Sequence, residues 1–255
     1  MNAMERIAQL GAKLSLLRVR DGNCQLIGAN HHKYALNAPL VEKEVADFEV
    51  QHQLALPADY RAFLATLGNG GAGPFFGMVP LQDSILTSDL IDDPMILSKS
   101  FPLGQAVELS ELIKAHTEFD LFADDDSLDT YYRRIEEDRE FREINSRLET
   151  QFHSSYFSRG SLMICDYGCG LAFRLIVSGD ARGQIWLDDR ANDSGLYPLG
   201  DPYTAKPVDF LAWYDQWLDH SLRSIDEFLV APADSSIWPW SSIERSDGRV
   251  WPWGQ

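Results

Sequence analysis

Residues 48–81 read FEVQHQLALPADYRAFLATLGNGGAGPFFGMVPL, and this stretch decides the fold. Its centre predicts a helix that opens at Leu56-Pro57, because a proline in the first turn loses no hydrogen bond and presets φ. Apolar residues then recur at helical spacing and form one face of that helix: Tyr60, Phe63, Leu64 and Leu67. We therefore expect an amphipathic helix over residues 56–67, with its apolar face packed against a core.

A glycine-rich run follows the helix and predicts how it ends. Gly68 favours the left-handed conformation that closes many helices, since glycine adopts it at the lowest cost. The next residues, 69–74, are typical of a tight turn dominated by its backbone. The run also satisfies the pattern GxGxxG, but a dinucleotide site needs a strand before that pattern and a helix after it. Here a helix precedes it and Pro74 follows, so we expect a structural turn.

These residues resemble the SUKH superfamily, the Smi/Knr-type domains found largely among bacterial toxin-immunity proteins. The family outline is an acidic helix ending in Phe-Glu, six residues, Leu-Pro, x-Asp-Tyr, Phe-Leu and an Asn-Gly-Gly turn. The matching residues, in that order, are Phe48, Glu49, Leu56, Pro57, Asp59, Tyr60, Phe63, Leu64, Asn69, Gly70 and Gly71. Two features depart from the pattern. Gln53 stands where many relatives carry a helix-ending glycine, and the Trp-rich segment after Ala231 has no counterpart.

Later blocks are similar to one branch of the same family. Residues 160–162, 165–170, 185–186 and 213–218 match its strand, hairpin and closing-helix pattern. The resemblance implies an α+β single domain with a mixed or antiparallel sheet packed by helices. It also implies a non-enzymatic immunity protein that binds and neutralises a cognate bacterial toxin domain in the cytosol. A regulatory or scaffold protein-binding domain of the same fold is an alternative, and an uncharacterised hydrolase is a second one.

The charge of the chain restricts its partners. Asp and Glu number 39 against 22 Lys and Arg, a net charge of −17. Such a chain repels nucleic-acid phosphates and anionic membranes and attracts basic proteins. Thirteen acidic and six basic residues lie between Glu111 and Thr150. We expect a basic toxin domain to bind this segment at Asp124, Asp125, Asp126, Asp129, Glu136, Glu137 and Glu140, although solubility alone is an alternative explanation of the charge.

The organisation of the chain follows from its hydrophobic periodicity and from the positions of its proline and glycine residues. We expect an N-terminal helical extension over residues 1–36, the main domain over 37–230 and a Trp-rich tail over 231–255, in which residues 237–240 recur as 250–253. The extension begins with an amphipathic helix whose apolar residues are Ile7, Leu10, Leu14 and Leu17. An acidic helical insertion over about 111–152 interrupts the main domain. Its second part, 131–152, predicts one amphipathic helix with these residues on or near its apolar stripe: Tyr132, Ile135, Phe141, Ile144 and Leu148. Residues 77–81, 161–165, 171–177 and 183–187 predict strands, and 210–222 predict the closing helix. No segment resembles a signal peptide or a membrane span, which indicates a cytoplasmic protein.

Residue patterns for metal, cofactor or nucleophilic chemistry are weak. Cys165 and Cys169 flank a predicted hairpin, and without further paired ligands we expect reduced, buried and inert thiols with no metal or cofactor. The sequence LDDRANDSG, residues 187–195, fails the calcium-loop pattern because Ala191 occupies the third position counted from Asp189, and we expect a turn after a strand there. Ser161 begins a predicted strand, whereas a nucleophile elbow ends one. We therefore expect no catalytic residue.

Overall fold

The computed structural model describes residues 2–86, 89–90, 93–121, 127–201, 204, 206–228, 242–244 and 250–252. Their helices are α1 (Ala3–Arg20), α2 (Ala29–His32), α3 (Glu42–Gln51), α4 (Ala58–Thr66), α5 (Leu109–Thr117), α6 (Ser127–Glu137), α7 (Arg139–Phe152) and α8 (Phe210–Phe228). The strands are β1 (Val107–Glu108), β2 (Ser161–Gly168), β3 (Leu171–Ile176), β4 (Ile185–Asp188), β5 (Gly195–Pro198), β6 (Ser242–Glu244) and β7 (Val250–Pro252). The predicted single-domain α+β fold is confirmed.

Five strands form one antiparallel sheet in the order β1-β5-β4-β3-β2. Strands β2 to β5 follow one another as a meander, and β1 adds to the far side of β5. The register places Phe173 of β3 opposite Leu187 of β4, which in turn lies opposite Tyr197 of β5. Every residue of β3, β4 and β5 is buried, so these strands carry no solvent face.

The main core lies on one face of the sheet. Helices α1, α4 and α8 cover this face, and α1 packs along α8. The predicted apolar stripe of α1 is confirmed, since Ile7, Leu10, Leu14 and Leu17 are all buried. Tyr60 and Phe63 of α4 are also fully buried and meet the ring of Phe210 edge-on at centroid distances of 4.7 and 5.0 Å.

A second core lies on the opposite face of the sheet. Helices α5 and α7 supply its buried residues, with Ile113, Phe141, Leu148 and Phe152 packed together with Trp186 of β4. Tyr131 and Ile135 of α6 are partly buried against the same cluster. The acidic helical segment therefore forms the third layer of a helix–sheet–helix arrangement.

The single helix predicted over residues 131–152 is wrong. Asp138 separates α6 from α7 with an extended conformation, φ −103° and ψ 104°. Its side chain accepts a hydrogen bond from the Phe141 backbone N–H at 3.0 Å, so it serves as the N-cap of α7. Tyr132, which the continuous helix placed on or near the apolar stripe, is 62% exposed.

The predicted end of α4 is also wrong in its detail. Gly68 does not have a positive φ, whereas Gly70 and Gly71 have φ values of +83° and +96°. Gly68 is needed for space instead, because a Cβ there would lie 2.7 Å from the carbonyl oxygen of Asn37. The left-handed residues of the run thus lie two positions further along the chain than expected.

The strand predicted over residues 77–81 reduces to isolated bridges. Met78 pairs with Gly71 on one side and with Cys165 on the other. Val79 donates its backbone N–H to the carbonyl oxygen of Ile164 at 2.9 Å. This short segment covers part of the outer edge of β2 before Leu81 begins a 3₁₀ turn.

The Trp-rich tail is described only at β6 and β7, which pair with Ile243 opposite Trp251. The predicted tryptophan repeat at residues 237–240 lies outside the described residues, while Val250–Pro252 of the second copy forms β7.

Candidate partner-binding surface

The residues of the family-like motif form the joint between α3, α4 and α8. Glu49 accepts a hydrogen bond from the Leu56 backbone N–H at 2.8 Å and pairs with Arg61 at 3.3 Å. Asp59 accepts a long hydrogen bond from the Leu211 backbone N–H at 3.4 Å, close to the start of α8. Burial raises the pKa of Asp59, although its backbone hydrogen bonds oppose that shift. Both carboxylates hold helix ends in place.

Asn69 and the glycines beside it hold the turn after α4. The Asn69 side chain accepts a hydrogen bond from the Leu81 backbone N–H at 2.8 Å and donates one to Gln82 at 3.0 Å. A Cβ on Gly71 would lie 2.5 Å from the Ala35 carbonyl oxygen, and one on Gly70 would lie 2.8 Å from the nitrogen of Pro80. The turn therefore has a structural role: its glycines allow close backbone packing, and the Asn69 side chain forms its hydrogen bonds within the chain.

Gln53 shows how the join between α3 and α4 is made without the expected glycine. It has φ +50°. Its N–H donates to the Val50 carbonyl oxygen at 3.3 Å, and the Leu54 N–H donates to the Glu49 carbonyl oxygen at 3.0 Å. These are the two hydrogen bonds of a Schellman helix end. The glutamine thus occupies the conformation in which glycine is the usual residue.

A buried ion network that the sequence analysis missed links the C-terminal end of α7 to the sheet. Asp188 of β4 binds Arg174 of β3 at 2.5 Å and Arg190 at 2.8 Å. Arg190 also donates to the carbonyl oxygens of Phe152 at 2.9 Å and Ser154 at 3.1 Å, at the C-terminal end of α7. Burial alone would raise the pKa of Asp188, but the two guanidinium groups outweigh burial and hold that pKa well below its usual range.

The signal for this network is visible in the sequence. Arg174 interrupts the apolar strand LAFRLI, and a charge in such a strand needs a buried partner. The expected turn after β4 is present, as a 3₁₀ helix over Arg190–Asn192. However, the first aspartate of LDDRANDSG is the central anion of the network, a role that the turn interpretation did not include.

The predicted acidic surface is only partly described. Asp124, Asp125 and Asp126 lie outside the described residues. Asp129, Glu136, Glu137 and Glu140 lie on α6 and at the start of α7, and all four are exposed. Within the described part of the chain none of the four carboxylates forms an ion pair. We refer to these four residues as the acidic surface.

Nearby arginines are engaged elsewhere. Arg134 pairs with Asp138 at 3.2 Å and lies over the ring of Phe141, with Cζ 4.5 Å from the ring centroid. Arg139 pairs with Glu143 at 2.8 Å. Arg142 donates to the carbonyl oxygens of Ile135 and Glu136, which end α6. Arg133 is exposed and makes no ion pair among the described residues, so the acidic surface keeps a net negative charge.

The cysteines differ from the prediction in one respect. Cys165 is buried and burial raises its pKa well above the usual value, but Cys169 is exposed at the tip of the β2–β3 hairpin. Among the residues described, His, Cys, Asp and Glu side chains form no group of three that could hold a metal ion.

Two shallow depressions bear on the hydrolase alternative. One, of about 660 Å³, follows the outer side of α7 near Arg142 and Arg147. The other, of about 250 Å³, lies between Asp93 and Arg159. The carboxylates whose pKa is raised by burial, Asp59 and Asp189, line neither depression. Ser161 begins β2, and its hydroxyl donates to the Ser158 carbonyl oxygen at 2.6 Å.

The chain matches no protein-family model, no curated protein and no solved structure. In the ranges that the structure describes, no helix has the length and apolar character needed to cross a membrane.

Proposed function

We propose that this protein is a non-enzymatic immunity protein of the SUKH type, which binds and neutralises a basic bacterial toxin domain in the cytosol. The observation that carries the proposal is the acidic surface: four exposed carboxylates that form no ion pair among the described residues, on two helices packed against the second core. The order and spacing of the SUKH-like blocks supports the same function.

The acidic surface would act mainly by electrostatic steering of the approaching toxin domain. Opposite charges accelerate the encounter of two proteins, and this acceleration weakens as salt screens exposed charges beyond a Debye length of about 10 Å at 0.1 M. Binding over the toxin active site, or at a site beside it, would then block the toxin. Neutralisation by this route requires no catalytic residue in the immunity protein.

The test is stopped-flow association with the toxin domain that a neighbouring gene encodes. The variant carries Asp129→Asn, Glu136→Gln, Glu137→Gln and Glu140→Gln. The matched control removes four exposed charges that form no ion pair among the described residues, all outside residues 109–152: Glu44→Gln, Asp83→Asn, Asp166→Asn and Asp180→Asn. We expect association to slow as salt rises. At low salt the variant should associate about tenfold or more slowly than the control, with a smaller change in dissociation.

Two results would contradict the proposal. An association rate that does not change with salt and is the same for the variant as for the wild type would mean that the acidic surface serves only solubility. Failure of the wild-type protein to bind the toxin or to protect cells that produce it would reject the immunity function. In that case a regulatory or scaffold protein that uses the same fold for another partner becomes the better hypothesis.

A further inference from the structure

Two apolar side chains stand exposed beside the acidic surface. Leu128 and Tyr132 are 58% and 62% exposed. They lie four residues apart on α6, a spacing that places them next to each other on one side of the helix. Large apolar side chains that adjoin in this way are a mark of protein interaction surfaces, whereas single exposed ones are common everywhere.

Tyr132 rests against a ring that the core holds in place. Its ring meets the ring of Tyr131 edge-on at a centroid distance of 5.5 Å. Tyr131 packs in turn against Phe119 and Phe141 and donates a hydrogen bond to Asn145 at 3.1 Å. An aromatic anchor that is fixed before binding loses little conformational entropy when a partner covers it.

Carboxylates flank the apolar pair. At 100° per residue, Asp129 and Glu136 fall on the side of α6 next to Tyr132, and both are exposed without an ion pair among the described residues. Arg134 points away, over the Phe141 ring. Arg133 is the exposed cation of this helix that a partner would have to accommodate. The combination is an apolar pair with carboxylates along one side, which we call the negative rim.

We propose that Leu128 and Tyr132 are the contact anchors for a partner protein that presents an apolar pocket bordered by lysine or arginine. This inference rests on the proposed function in that it specifies the contact chemistry of the toxin domain. Charge complementarity favours this occupant, because a negative rim attracts a basic surface and repels a second copy of this acidic chain. Tyrosine at the centre of an interface commonly contributes a large share of the affinity.

The first experiment needs no toxin. Fluorescence anisotropy measures binding of the full chain to a peptide of alternating lysine and leucine and to an all-lysine peptide of the same length. The Leu128→Ala/Tyr132→Ala variant is compared with Val50→Ala/Tyr156→Ala, which removes two other exposed apolar side chains. We expect the first variant to bind the lysine–leucine peptide about tenfold or more weakly than wild type. The control variant should bind like wild type, and the all-lysine peptide should bind weakly to every protein.

Equal affinity of both variants for the lysine–leucine peptide would overturn the inference. So would a dimer that forms at micromolar concentration and is lost in the Leu128→Ala/Tyr132→Ala variant, since a second copy would then cover these residues. A nuclear Overhauser contact between Tyr132 and a tryptophan of residues 229–255 in the free protein would assign the surface to the tail instead.

The toxin experiment separates this inference from the proposed function. If Leu128→Ala/Tyr132→Ala neutralises the toxin as well as wild type does, the anchors are wrong while the immunity function stands. If the wild type neutralises no toxin but its peptide binding depends on Leu128 and Tyr132, the anchors stand and the immunity function is wrong.

Discussion

At the scale of single residues, backbone conformation explains much of the motif around Asn69. Gly70 and Gly71 combine positive φ with close backbone neighbours, whereas Gly68 needs only the space. Gln53 shows the opposite case, a side-chain-bearing residue with φ +50°. Such conformations cost about 1–2 kcal/mol for residues other than glycine. A glycine in the sequence therefore has to be interpreted from its φ and its neighbours together.

Gly71→Ala tests this interpretation. The new Cβ would lie 2.5 Å from the Ala35 carbonyl oxygen in a backbone with φ +96°, so we expect a loss of roughly 2–5 kcal/mol in the free energy of unfolding. The control is Gly104→Ala, which has no atom within 4 Å of its Cβ and should change stability by less than about 0.5 kcal/mol. Urea unfolding of both variants measures the difference, and similar losses would contradict the proposed strain.

At the scale of secondary-structure elements, α7 depends on one buried side chain. Arg190 joins Asp188 to the carbonyl oxygens at the end of α7. Replacing it by methionine leaves those oxygens unpaired and leaves Arg174 as the only cation bound to Asp188. We expect Arg190→Met to cost roughly 3–5 kcal/mol in the free energy of unfolding at pH 7.

The matched control is Arg139→Met. Arg139 pairs with Glu143 at the surface, so its loss should cost less than about 1 kcal/mol. The pH dependence gives a second readout. The folded pKa of Asp188 lies below its unfolded value of about 3.9, so the stabilisation is complete above that value and is lost as pH falls through the folded pKa. The deficit of Arg190→Met should therefore be largest near pH 7, and a deficit that is larger at pH 3 than at pH 7 would contradict this assignment.

Sequence periodicity predicted some elements well and missed others for identifiable reasons. The apolar stripes of α1 and α4 and the meander of β2 to β4 were recognisable because local patterns set them. β5 was missed because its four residues are all buried and show no alternation. The break at Asp138 was missed because helical arginine and glutamate pairs continue across it. The sequence predicted the four carboxylates of the acidic surface but missed the exposed pair Leu128 and Tyr132 beside it, because the amphipathic pattern placed Tyr132 on or near the apolar stripe.

At the scale of the whole molecule, the first long helix of the chain packs against the closing helix. Helices α1 and α8 run parallel, with Arg6 bound to Asp209 at 2.8 Å near their starts and Arg20 bound to Asp226 at 2.5 Å near their ends. Lys13 lies between and binds both Asp215 and Asp219 at 2.6 Å. All the cations are on α1, and the anions are on α8 or, for Asp209, directly before it. These pairs orient the helices, and the buried apolar stripe of α1 provides most of the stability.

Removal of residues 1–20 tests that division of roles. Four leucine and isoleucine side chains of α1 are at most 6% exposed, and burial of each contributes about 1.5–3 kcal/mol. Their sum approaches the total stability of a typical domain, about 5–15 kcal/mol. The shortened chain should therefore bind ANS and lose its cooperative thermal transition. Lys13→Met, which removes two ion pairs, should cost less than about 2 kcal/mol. A cooperative transition near the wild-type melting temperature in the shortened chain would show that α1 is dispensable.

The packing of α1 against α8 also determines when α1 can be buried during synthesis of the chain. The first helix leaves the ribosome about 200 residues before α8, a delay on the order of 10–40 s at translation rates of about 5–20 residues per second. Throughout that interval the leucine stripe of α1 lacks the α8 surface and can pack only against elements already synthesised, such as α4. Nascent chains arrested before residue 210 should therefore be cleaved readily by protease within α1. Chains arrested well beyond residue 228 should be protected there.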